Sequence, residues 1–200
     1  MAEALADVYV RLDGMKGECT DASHPGQKGW IQIKSFNFGF GMKEGSWEGG
    51  GAAGSDSGGG GDGGSGRGGG SNLPLEFPDA TMAKSSDSVS TGLLKEKCHE
   101  GAPIEMMQVV ACRYGGNDKN KPKIPFLHII FKNVYINSIS LALSQDELPG
   151  ETIKFTYDIV QMETIWTDNE TGDRLVSQPN RCGWNRKLNK EFKEYVDAES

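Results

Sequence analysis

Apolar side chains recur along this chain with a period of two, not 3.6. Val8, Val10 and Leu12 alternate with Tyr9, Arg11 and Asp13, which predicts a strand with one buried face. Gly14 to Gly26 reads as a loop containing the His24-Pro25-Gly26 turn. In the run from Trp30 to Phe40, Ile31 and Ile33 hold one parity, while Phe36, Phe38 and Phe40 hold the other. The phase changes near Lys34-Ser35, which predicts a bulge or a sharp bend there. The same change recurs twice. In 126–143, Ile130, Val134 and Ile136 give way to Ile139, Leu141 and Leu143. In 151–167, Ile153, Phe155, Tyr157 and Ile159 give way to Val160, Met162 and Trp166. Strands that swap faces midway suit a small bent barrel, because strands must turn corners to close. Ile104 to Tyr114 adds a strand apolar on both faces, and Leu75 to Met82 a weaker one.

One helix is predicted, over 88–100. It starts with capping residues at Ser88 and ends at Gly101, and Val89, Leu93, Leu94 and Cys98 share a face. From Asp168 the sequence turns polar. Residues 186–200 read as a polar C-terminal extension, in which Arg186 to Ala198 suggests a short charged helix or an unordered tail. The fold class expected is therefore mainly β: a small bent barrel of antiparallel strands with one flanking α-helix.

Composition changes one part of this picture. Of the 26 residues from 45 to 70, 15 are glycine, and the tract 45–72 has almost no aliphatic side chains. Ordering such a segment gives little hydrophobic return. The two strands before it cannot bury a core alone. The tract thus reads as a loop inserted in a single domain spanning 1–200, not as a linker between two. No stretch approaches the roughly 20 apolar residues of a membrane helix, and the N-terminus lacks the basic and apolar regions of a secretory signal. A net charge of −7 argues against nucleic acid as the main partner. The basic cluster Lys119, Lys121, Lys123 reads as a solvated hairpin tip.

Candidate chemistry is sparse. Gly39-Phe40-Gly41-Met42-Lys43-Glu44-Gly45 places its third glycine one position late for a dinucleotide loop, so no cofactor is expected. The thiols and imidazoles lack metal-ligand spacing. The acidic run Asp168 to Asp173 has its glycine out of register for a calcium loop. A cysteine-dependent hydrolase using Cys98 or Cys112 would need a base, and sequence places none beside either thiol. Cys112 reads as core, and no catalytic residue is assigned.

The order of elements is more informative. Asp7-Val8-Tyr9-Val10-Arg11-Leu12-Asp13-Gly14, then Gly29-Trp30-Ile31-Gln32-Ile33-Lys34-Ser35-Phe36, resembles the start of the haemolysin-coregulated protein (Hcp) family, the tube proteins of bacterial type VI secretion systems. The later order is similar too: the helix at 88–100, a strand ending Arg113-Tyr114-Gly115-Gly116, the long strands Leu127–Leu143 and Glu151–Thr167, and the ending Gly183-Trp184-Asn185-Arg186-Lys187-Leu188-Asn189-Lys190. This resemblance implies homohexameric rings that stack into a tube, with sheath, spike and effector proteins as partners. It implies residence in the bacterial cytoplasm and then export by the apparatus itself, without insertion into a membrane. It also places the glycine tract at a loop that contacts the next ring, with Lys43, Glu44, Trp47 and Arg67 as candidate stacking residues. Two alternatives share the fold: a tube subunit of another contractile particle or phage-like tail, and a ring that chiefly carries effectors.

Overall fold

A computed structural model describes residues 6–42, 75–93, 101–114, 123–145, 148–168, 175 and 180–196. The chain divides into two compact units, Met1–Phe38 with Asp79–Ser200, and Gly39–Pro78. In the larger unit lie β1 (Ala6–Leu12), β2 (Trp30–Ile33) and β3 (Ser35–Asn37). The smaller unit holds β4 (Gly41–Met42) and β5 (Leu75–Glu76), which pair with each other, and Phe40 lies 6.2 Å from Phe77 between ring centres. The larger unit continues with β6 (Ala80–Ser85), α1 (Ser88–Gly92), β7 (Ile104–Tyr114), β8 (Lys123–Ala142), β9 (Gly150–Thr164), β10 (Asn180–Asn185) and β11 (Lys190–Glu191).

All pairings are antiparallel. The main path runs β11-β10-β9-β8-β7-β1-β2, while β3 pairs β6 and β6 pairs β9. The sheet does not close by hydrogen bonds, because β2 and β3 share no ladder. The chain itself carries the sheet round at Lys34, whose N–H donates to the Ala83 carbonyl at 2.7 Å. That is the bend the phase change at Lys34-Ser35 predicts.

The other two phase changes are corners of the long strands. In β9 the edge partner switches from β6 (residues 150–155) to β10 (residues 159–164), with no register shift against β8 between 155 and 164. The inward set switches with it, from Ile153, Phe155 and Tyr157 to Val160. The facing residue in β8 is Asn133, at φ 52°, one of two non-glycine residues with positive φ among those described. Inward positions switch there from Ile129 and Phe131 to Val134. This corrects one sequence reading: Ile130 and Val134 share a parity but lie on opposite faces. A second irregularity follows at Asn137, where the register shifts between Ile136 and Ser138. Beyond it the expected apolar set is not core. Leu141 is 55% exposed and Leu143 73% exposed. Just past the end of β9, Trp166 likewise stands in solvent.

The core is aromatic. Phe131, fully buried, lies 4.6 Å from Tyr157, 5.4 Å from Phe38 and 5.5 Å from Phe155 between ring centres. Each such side chain contributes about 1.5–3 kcal/mol by leaving water. The outer face of β1 and β7 is also covered, so Tyr9 is fully buried where alternation predicts an exposed position. Its cover is the loop 14–29. His24 stacks on Tyr9 at 4.2 Å and meets Trp30 edge-on at 4.9 Å. Cys19 packs against the same cluster, and Cys112 is buried within it. Gly17 is required in this loop, since a Cβ there would stand 1.9 Å from the Trp30 carbonyl oxygen.

Helix α1 is capped by Asp87, whose carboxylate accepts from the Val89 N–H, so the cap lies one residue before the expected Ser88. Val89 and Leu93 are buried as the helical face requires, and the predicted remainder, 94–100, lies outside the described residues. The expected charged helix at 186–198 is absent among the described residues. A turn at 186–189, with Asn189 at φ 47°, leads into β11 instead.

Asn133 supplies a testable hinge. The left-handed conformation suits asparagine and glycine but costs other residues about 1–2 kcal/mol. Asn133→Val should lower stability by at least that amount in urea denaturation, and Asn133→Gly should stay near wild type.

Candidate assembly surface and the clusters that brace it

Two clusters of charge hold the pieces that carry the surface. The first is centred on Lys123. Its ammonium donates to Asp21 Oδ2 at 2.5 Å and Asp7 Oδ2 at 2.8 Å, and to the Tyr9 hydroxyl. Tyr114 also donates to Asp7, at 3.0 Å. The lysine therefore ties β8 to β1 and to the loop 14–29. This corrects the solvated reading of Lys123; Lys119 and Lys121 lie outside the described residues. Burial pushes the Asp21 carboxyl up, but hydrogen bonds from Lys123 and the Ser23 N–H outweigh it and hold its pKa at about 2. Burial would lower the Lys123 pKa, yet its bonds to Asp21, Asp7 and Tyr9 raise it.

The second cluster is centred on Lys84, 1% exposed. Its ammonium lies 2.5 Å from Asp87 Oδ1 and 3.0 Å from Glu151 Oε2. Glu151 also accepts from Ser86 at 2.6 Å and from Ser90. Glu151 titrates below the usual range: burial opposes this, and the hydrogen bonds from Ser86, Ser90 and Lys84 prevail. Asp87, the helix cap, thus also pairs with the buried cation. Three elements, β6, α1 and β9, meet on one lysine.

A third set clamps the corner. Asp158 accepts from Asn133 Nδ2 at 2.9 Å and from Lys187 Nζ at 2.7 Å. Arg186 donates through Nη1 to the Tyr157 carbonyl at 2.8 Å and to Thr156 Oγ1 at 2.6 Å. The adjacent pair Arg186-Lys187 therefore grips β9 where it bends.

The braced structure leaves one arm uncovered. The ladder between β7 and β8 ends at Ile104–Val134, while β8 continues to Ala142 with β9 on its other edge. Residues 135–142 thus present a strand edge with no partner among the described residues. Leu141 and Leu143 stand exposed on this arm, and Leu148, just before β9, is 78% exposed. Edges of this kind invite pairing with another chain, and clustered apolar residues mark contact sites. Sequence alternation marked Leu141 and Leu143 as part of a strand's apolar set, the pattern of a buried face, and did not mark Leu148.

Other expected sites fare differently. Lys43, Glu44, Trp47 and Arg67 lie outside the described residues, as do Cys98, His99 and the acidic run after Asp168. Cys112 is 1% exposed, and burial pushes its thiol up to about 12, so it carries no thiolate at neutral pH. No group of three potential metal ligands gathers among the described residues, and no helix among them is long and apolar enough to cross a membrane.

A bent antiparallel sheet, braced by buried ion pairs and ending in an apolar arm, defines a building block for association. Residues 9–164 match the family model described as type VI secretion system effector, Hcp. A solved type six secretion system protein has a TM-score of 0.68 at 23% identity, covering 93% of this chain and 99% of its own. Hcp1 from Salmonella typhimurium gives 0.65 at 19%, covering 94% and 100%. A type VI secretion system effector from Yersinia pestis gives 0.59 at 20%, covering 90% and 99%. No curated protein sequence matches. The chain belongs to the Hcp family and is a subunit of the type VI secretion tube.

Two outcomes follow from the clusters. Lys84→Met leaves the buried carboxylate of Glu151 and the half-buried one of Asp87 without their cation and should cost about 3–5 kcal/mol, whereas Lys84→Met with Glu151→Gln should recover part of it in the same denaturation assay. Asp21 titrates below its unfolded value of roughly 3.9. Its stabilisation is complete above that pH and is lost as pH falls toward 2. Acid unfolding of wild type should therefore begin below about pH 4, and Lys123→Met should raise its midpoint.

Proposed function

We propose that six copies of this chain form a ring, that rings stack into the secretion tube, and that effectors ride in its lumen. The observation that supports the ring most is the arm at 135–148, whose exposed leucines and open strand edge fit a neighbouring copy. Each copy carries −7, so the ring needs apolar contact and local charge pairing to offset self-repulsion. Stacking is assigned to the loop 43–72, with Lys43, Glu44, Trp47 and Arg67 as contact residues. Sheath, spike and effector proteins are the further partners. The protein resides in the bacterial cytoplasm until the apparatus exports it, and it acts as a structural subunit with no catalysis of its own.

Sedimentation tests this directly. Wild type should travel as a hexamer at micromolar concentration. Leu141→Asp with Leu143→Asp should shift it toward monomer while the β-sheet circular dichroism is kept. Deleting 45–72 should leave the single ring intact and abolish tube formation. A wild-type monomer at high concentration would overturn the ring.

A further inference from the structure

The loop 14–29 covers the outer face of β1 and β7, and it is held there by few fixings. It begins at Gly14, φ 77°, and ends at Gly29, φ 89°. Glycine enters and leaves such conformations at little steric cost, so both ends can serve as hinges. Between them, the Cys19 N–H donates to the Trp30 carbonyl at 3.2 Å and the Gly17 N–H to the Gly26 carbonyl at 3.1 Å. The Gly26 N–H donates to the Cys19 carbonyl at 2.7 Å, and the Glu18 carboxylate accepts from the Ser88 N–H at 3.2 Å. The rest of the attachment is the Asp21 contact with Lys123 and the packing of His24.

His24 is the loop's deepest anchor. Its ring lies 5° from parallel with that of Tyr9 and meets the ring of Trp30 edge-on. The residue is 8% exposed, and Nδ1 is buried with no hydrogen-bond partner among the described residues. Asp21 Oδ1 stands 3.9 Å from Nδ1, too far for a hydrogen bond. That carboxylate is already engaged: Oδ1 accepts from the Ser23 N–H at 2.9 Å, and Oδ2 accepts from Lys123 and from the Tyr9 hydroxyl at 3.1 Å. A neutral imidazole can leave Nδ1 bare. A protonated one places an N–H donor there with no acceptor in reach, and puts a charge between two aromatic rings.

The groups around His24 oppose that charge on balance. From β8, the Lys123 ammonium disfavours it, as does His128, which register places in one row with Val110 of β7 and Tyr9 of β1. From the loop, Asp21 favours it. Burial keeps the Tyr9 hydroxyl of β1 and the Cys112 thiol of β7 neutral, Asp7 of β1 is paired with Lys123, and β2 presents the uncharged Trp30. Burial of the imidazole is the largest effect and prevails over Asp21, so His24 titrates below the ordinary histidine range. The loop's carboxylates do not titrate in the same window. Asp21 is held at about 2, and the hydrogen bonds from Ser88 keep Glu18 below the usual range.

We propose that His24 is a proton-operated latch: neutral, it clamps the loop 14–29 onto Tyr9 and Trp30, and protonated, it lets the loop swing out about Gly14 and Gly29 and uncover those rings together with Cys112. A histidine in the lifted loop titrates near about 6.5. The clamp is therefore complete above that pH. It weakens by up to about ten-fold per pH unit below it, until the value of the closed state is reached. The device belongs to a single chain and does not depend on ring assembly.

Hydrogen exchange on the full chain tests it, with each rate divided by that of the free peptide 14–29 at the same pH to remove the intrinsic pH dependence. Between pH 7 and pH 5, protection at the Gly17, Cys19 and Gly26 amides should fall about five-fold or more in wild type. The Val109 and Val110 amides of β7 should keep theirs. His24→Phe retains both ring contacts and cannot take up a proton, so the loop should be as protected at pH 7 and the response to pH should vanish. His128→Gln should leave the response in place. Carbon-13 NMR of labelled histidines in wild type, with the His24 signal assigned by its loss in His24→Phe, should give a midpoint below about 6.5. This titration decides the matter if the variant does not hold its loop at pH 7. Wild-type protection that does not change with pH would overturn the proposal, as would an equal fall in His24→Phe or a His24 midpoint at or above the ordinary value. A response lost in His128→Gln would place the switch on β8 and contradict it.

Discussion

The two long strands cannot be straight. β8 has 20 residues, which fully extended would run about 66 Å, roughly twice the width of a small domain. Both it and β9 must turn a corner together, and they do so where Asn133 faces Asp158. One residue in the left-handed conformation rotates the side-chain pattern of β8, and β9 follows at the same point. The carboxylate of Asp158 joins the two strands there, and Arg186 and Lys187 hold the bend from β10's end. Everything inward of the corner, above all the ring of aromatics around Phe131, depends on that turn. Everything beyond it, including the arm at 135–148, is directed by it.

Burial of charge does related work elsewhere. Lys123 and Lys84 each sit where three pieces of chain meet, and each is surrounded by carboxylates. Such clusters add little net stability compared with apolar packing, but breaking one partner is costly. Their value here is registry. The loop 14–29 has few ladder bonds of its own, and Lys123 with the stacked Tyr9–His24 pair fixes where it lies.

Much of the fold was legible because alternation reports faces directly. The bend at Lys34, the corner in β9 and the doubly apolar β7 all follow from which parity is greasy. The corner in β8 was hidden, since Ile130 and Val134 share a parity and nothing in the pattern marks an asparagine at φ 52°. Tyr9 was misread because alternation assumes that a strand's second face meets water, and here a loop covers it; Lys123 was misread because its Asn- and Pro-containing surroundings suggest a hairpin tip, whereas it opens β8 and pairs with Asp7 and Asp21. Leu141 and Leu143 were misread for the opposite reason. Their pattern is that of buried residues, yet nothing among the described residues buries them. The position of Val196 was hidden because its partner is Gln161, whose carboxamide exchanges two hydrogen bonds with the Val196 backbone and whose sequence context carries no sign of that role.

The exposed leucines carry the proposed assembly: a sheet bent at Asn133–Asp158 holds out an apolar arm, and the cover proposed for it is a second copy of the chain. An electron cryomicroscopy reconstruction of the purified assembly tests this most directly. The account predicts six-fold rings in which residues 135–143 lie against a neighbouring subunit with Leu141 and Leu143 out of solvent. Rings joined elsewhere, with that arm still exposed, would contradict it.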